Sequence, residues 1–206
     1  MLKRVIVILF FQFALFSLLA TNNAAQINKT QTPADNSNLP PMPKLPSYQE
    51  VMGKASSSLL DLKKSIVSNA DKNDKKSVML SNMCADNLQK IVDSISFLMK
   101  LQKAYEANTY CSPIFEPGQC NIWSSEDCEK LADKTQKLSE EMNNKAKDVE
   151  LNGKTAEADS YTTASKVAVD VAKIYIELAQ DHKNLSKSID DLSDYMKHKK
   201  LSQANN

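Results

Sequence analysis

"CSPIFEPGQCNIWSSEDC", residues 111–128, separates two long helical segments and decides how they can be arranged. It holds three of the four cysteines and the only tryptophan, and its Pro113 and Pro117 are the only prolines beyond Pro46. Proline removes a backbone donor and its ring clashes with the preceding turn, so neither flanking helix can run through. The connection at 108–124 is therefore a structural unit of its own.

Outward from it, apolar residues recur at alternating spacings of four and three. A first helix starts in "SYQE", where Ser47 and Glu50 form a capping box directly after Pro46. Its apolar positions are Tyr48, Met52, Ala55, Leu59, Leu62 and Ile66, and polar residues 69–74 end it. The second, over about 76–107, carries Cys84, Leu88, Ile91, Ile95, Leu98, Gln102 and Tyr105, broadened by Val92 and Met99. The third is capped by Ser124 or Ser125 and carries Cys128, Leu131, Thr135, Leu138, Met142, Lys145 and Val149; Gly153 suits a left-handed C-terminal cap. The fourth, over about 155–200, runs through Tyr161, Ala164, Ala168, Val171, Tyr175, Leu178, His182, Leu185, Ile189, Leu192 and Met196. It either continues beyond the bundle or breaks near 180–184. The seven-residue period predicts an all-α fold: an elongated bundle of three to four long heptad-patterned helices over residues 47–200.

The N-terminus reads as a secretory leader over 1–25: Lys3 and Arg4, an apolar run at 5–20, then small residues at Ala20, Ala24 and Ala25. That run falls just short of the roughly 17 residues a membrane helix needs, so cleavage is preferred over an uncleaved anchor. Residues 26–46 hold five of the seven prolines and read as a disordered spacer; 201–206 read as a disordered tail. Four cysteines behind a leader predict two disulfides in an extracellular or periplasmic compartment. Cys84 lies about 35 Å from the end of a straight second helix, too far for Cys111 to reach unless that helix breaks. Cys84 with Cys128 and Cys111 with Cys120 is the preferred pairing, the other two remaining open. It requires the connection to run back along the second helix as a stapled crossover, leaving the second and third helices parallel.

Two readings of Ile114, Phe115, Ile122 and Trp123 remain: a lid over an underfilled seam, or an exposed rigid patch that binds a protein partner.

Without the leader the net charge is about −1, with lysines interspersed among acids, which gives no footprint for nucleic acid. Cysteine spacings of 27, 9 and 8 do not suit a zinc site, and three scattered glycines form no phosphate cradle. His182 reads as a partnered core histidine and His198 as part of a basic tail. Glu177 and Asp181 form an acidic i, i+4 pair without further metal ligands. No cofactor, metal site or enzymatic activity is expected. The favoured function is a secreted or periplasmic interaction protein, such as an adhesin, surface or secretion-apparatus component, with self-association through the helix seams as a further expectation. The alternative is a carrier of a small apolar ligand, in a cavity where Ala164, Ala168 and Thr135 face Met142, Met99 and Phe97.

Overall fold

The structure, a computed structural model, describes residues 45–204. The leader and nearly all of the proline-rich stretch lie outside the described residues. Four helices follow in order: α1 (Tyr48–Ser68), α2 (Lys75–Ala104), α3 (Ser125–Leu151) and α4 (Thr155–Ala204). Between α2 and α3 the crossover forms two short 3₁₀ segments, Thr109–Phe115 and Pro117–Gln119. Among the described residues there is no strand.

Local signals set the helix ends. The Ser47 hydroxyl accepts from the Glu50 amide at 3.2 Å and the Glu50 carboxylate accepts from the Ser47 amide at 2.7 Å, a complete capping box. Asp74 caps α2 by accepting from the amides of Lys76 and Ser77. Ser124 caps α3 by accepting from the Asp127 amide at 3.0 Å. At the far end of α3, Gly153 takes φ 75°, and the amides of Gly153 and Lys154 donate to the carbonyls of Glu150 and Val149. This Schellman closure reverses the chain into α4 within residues 152–154. Gly153→Ala places a Cβ in the left-handed region and is expected to lower stability by about 1–2 kcal/mol, readable as a lower denaturant midpoint.

α4 is the spine. Its 50 residues run unbroken through 180–184, roughly 75 Å at 1.5 Å per residue. It continues to Ala204, so residues 201–204 are helical where a disordered tail was expected. α1 packs on α2, and α2 and α3 each pack on α4. Asp74 at the start of α2, Asn87 within it and Asn108 just beyond its end bond to Tyr195, Asn184 and Ser160, so α2 descends α4 from its C-terminal end. Glu129 and Ser139 of α3 bond to Lys183 and Ser165 in the same sense. Both helices are antiparallel to α4 and therefore parallel to each other.

The seven-residue stripe is narrower than the buried face it belongs to. On α4, Val167, Ala172, Ile174, Ala179 and Ser188 are buried beside the expected positions, because the helix meets α2, the crossover and α3 on different sides. On α3 the stripe drifts: Lys145 is exposed and its neighbour Ala146 is buried. This is the arc of a globular bundle rather than a coiled-coil seam.

Candidate functional site

The crossover packs inward. Asn108 donates to the Ser160 carbonyl, Tyr110 stacks on Tyr161 with centroids 4.0 Å apart, Tyr175 donates to the Gln119 carbonyl at 2.9 Å, and His182 meets the Ile122 carbonyl at 2.7 Å. The contacts climb α4 from 160 to 182, about 33 Å, over crossover residues 108–122. That is about 2.4 Å per residue, between a 3₁₀ rise and an extended chain. The connection thus runs back along the bundle as one strip of its core.

This placement settles where the expected partner-binding residues lie. Ile114 and Ile122 are fully buried, Phe115 is buried edge-on against Tyr48, and Trp123 is half-buried against the core. They do not form an exposed tip.

The same stretching separates the thiols. Cys84, Cys111, Cys120 and Cys128 are all buried and free, so the expected pairs 84 with 128 and 111 with 120 are not formed. Cys111 belongs near the Tyr161 level of α4 and Cys120 beside Tyr175, well beyond disulfide reach along the helix. Cys84 sits by Ser188, while Cys128 lies next to Asp127 and Glu129 at the His182–Lys183 level. Burial pushes the thiols of Cys120 and Cys128 up to about 12 and that of Cys111 to about 11, which makes them poor nucleophiles.

Around Tyr175 the core is polar. Gln119 is buried, with its amide nitrogen 3.4 Å from the Pro113 carbonyl and its Oε1 unpaired; the Thr135 hydroxyl is also buried without a hydrogen bond, and the buried Tyr48 hydroxyl has only the Tyr175 phenol beside it. Desolvation raises both the Tyr48 and Tyr175 phenols, so each stays protonated. His182 is a core histidine: burial lowers its pKa, and in the neutral ring Nε2–H donates to Ile122. Glu177 is exposed and Asp181 half-buried, and no group of three metal-ligating side chains occurs among the described residues.

At the other end, the C-terminal turns of α4 are tied to the α1–α2 turn. Lys199 bridges Asp71 at 2.8 Å and Asp74 at 2.7 Å, Tyr195 donates to Asp74 at 2.6 Å, and Lys76 lies 4.9 Å over the Tyr195 ring. Lys76, Leu80, Asp191, Tyr195 and His198 line a cleft of about 500 Å³ there. Hydrogen bonds from Lys199 hold the Asp71 and Asp74 carboxyls below the usual carboxylate range. A depressed folded-state pKa stabilises above the unfolded value and is lost as pH falls through the folded one. The tie should therefore hold above about pH 4, and His182, by the same sign, favours folding above about pH 6.5. Acid titration is expected to weaken the bundle first below about pH 6.5 and again below about pH 4, with amide protection, taken relative to the intrinsic exchange rate at each pH, falling in the last turns of α4 in the second stage.

Two side chains that sequence reasoning passed over, Met79 and Met83, and one that it assigned to a cavity wall, Phe97, lie on α2. Its inner faces meet α1 and α4, while its outer face presents Met79 (53% exposed), Met83 (44%) and Phe97 (50%). Other large exposed apolar residues, among them Leu151, Ile176 and Leu201, stand singly, as is ordinary for a surface. Only their position opposite Cys84 and Leu88 on the helix could have marked Met79, Met83 and Phe97. Phe97 in solvent also removes one wall of the cavity expected for an apolar carrier, and Ala164, Ala168 and Thr135 are packed in the core.

No helix among the described residues is long and apolar enough to cross a membrane. No family model, curated protein or solved structure matches the chain.

Proposed function

We propose that this chain is a secreted or periplasmic helical interaction protein, an adhesin, surface or secretion-apparatus component, that binds a protein partner through the outer face of α2. The observation that carries the reading is the set of three half-exposed large apolar side chains on one face of a helix whose other sides are packed. Large apolar groups that remain exposed on a common face have the composition of a contact surface. The inward crossover takes Ile114, Phe115, Ile122 and Trp123 out of that role. The leader-like residues 1–25 support export, and the stretch at 26–46 would serve as a spacer.

The test is affinity capture from the extracellular or periplasmic fraction of the source cells, using the intact chain and a Met83→Ser/Phe97→Ser variant with unchanged far-UV circular dichroism. The reading expects a protein retained by the intact chain and lost by the variant. Equal retention by both, or none by either, would count against it.

A further inference from the structure

We infer that the partner of the α2 outer face is a second copy of this chain, docked antiparallel about a two-fold axis near residue 88; this rests on the reading of that face as a docking surface. Met79, Met83, Asp86, Lys90 and Phe97 are all exposed, and at 100° per residue they share one side of the helix. On a single copy the apolar groups are split. Met79 and Met83 lie at one end and Phe97 at the other, about 27 Å from Met79, with Asp86 and Lys90 between them.

An antiparallel two-fold pairing joins what one copy separates. Residues whose numbers are symmetric about 88 come level with each other, so Met79 meets Phe97 of the second copy at both ends of the contact, while Met83 comes level with the exposed Asp93 of the second copy, which lies towards the opposite edge of the face. In the middle, Asp86 meets Lys90 of the second copy, and Lys90 meets its Asp86. Among the described residues, neither Asp86 nor Lys90 makes an ion pair at contact distance; Lys90 feels Asp181 of α4 only at longer range, so both can pair across the axis. An isologous interface requires this self-complementarity. The opposite, parallel arrangement puts Asp86 on Asp86 and Lys90 on Lys90. Other antiparallel registers lose the double match: moving Met83 onto Phe97 puts Lys90 on Lys90.

Three half-exposed side chains supply well below the roughly 800 Å² per partner of a standard stable interface, so the dimer is weak and concentration-dependent. The expectation of self-association is thereby relocated, since the helix seams are largely taken up by the core.

The experiment is sedimentation velocity on the intact chain from about 1 to 200 μM at low ionic strength, where charge pairs are least screened. Asp86→Lys, Lys90→Asp and the exchanged Asp86→Lys/Lys90→Asp chain are run alongside. These substitutions touch solvent-exposed positions, and unchanged circular dichroism and melting temperature confirm folding. The expected result is a dimer that appears with concentration, needs about tenfold more protein in each single variant, and returns to the intact chain's affinity in the exchanged one. A dimer indifferent to all three variants, or single variants that the exchange fails to rescue, would overturn the pairing. A chain that stays monomeric at 200 μM would also overturn it. In that case, capture of another protein lost on Met83→Ser/Phe97→Ser keeps the docking face and removes only self-pairing, whereas no such capture removes both.

Discussion

Ile122→Ala is expected to destabilise the bundle by about 2–5 kcal/mol, and Ile114→Ala by a similar amount. Both residues sit in a connection, where substitution ordinarily costs little. Here each side chain is fully buried in the main apolar cluster together with Leu88, Ile91 and Val171, so truncation removes its transfer energy and leaves a cavity. Ile122 has a second role, because its carbonyl meets His182 and holds the end of the crossover on α4. Urea denaturation of the single variants measures the cost. Losses within about 0.5 kcal/mol would mean that these side chains lie on the surface.

Tyr175→Phe is the second large effect, expected to lower stability by about 1–3 kcal/mol. The Tyr175 hydroxyl is fully buried and donates to the Gln119 carbonyl, and phenylalanine preserves the ring while leaving that carbonyl unpaired in the core. Tyr48→Phe is the matched control. Its hydroxyl is buried with only the Tyr175 phenol beside it, and deleting it leaves no backbone group unpaired, so it should cost less than Tyr175→Phe. The contrast between two neighbouring phenols separates hydrogen-bond loss from loss of aromatic packing. Equal costs for the two substitutions would contradict the assignment.

The helices were legible because their signals are local. Ser47 with Glu50, Ser124 and Gly153 mark ends by chemistry confined to one turn, and the structure places caps at each. The direction of the crossover was reached as well, though through a pairing of Cys84 with Cys128 that the structure does not contain. What carries the chain back along the bundle is apolar burial of Ile114, Phe115 and Ile122, with Tyr175 and His182 bonding to its backbone. Cysteine spacing could not reveal this, because sequence separation says nothing of whether the intervening chain is coiled or extended. Ten residues from Cys111 to Cys120 read as a closed loop and prove to be a strip laid along α4. The continuity of α4 was undecidable for a related reason: no glycine or proline interrupts it, and the bond that secures His182 comes from a segment sixty residues away. Phe97 was assigned to a cavity opposite the small residues Ala164, Ala168 and Thr135, but its position on α2 points away from both α1 and α4.

The parallel course of α2 and α3, imposed by an inward crossover, is the central claim, and distances between nitroxide labels test it most directly. Labels placed on cysteines introduced at Lys90, Lys103 and Glu126, all exposed, would be compared pairwise under native conditions, where the four buried thiols stay unlabelled. α3 begins level with the middle of α2, so the account predicts that 126 lies nearer to 90 than to 103, the axial offsets being about 8 and 27 Å. A shorter distance from 126 to 103 would mean that α3 starts at the end of α2 as in a simple up-and-down bundle, and would contradict the crossover.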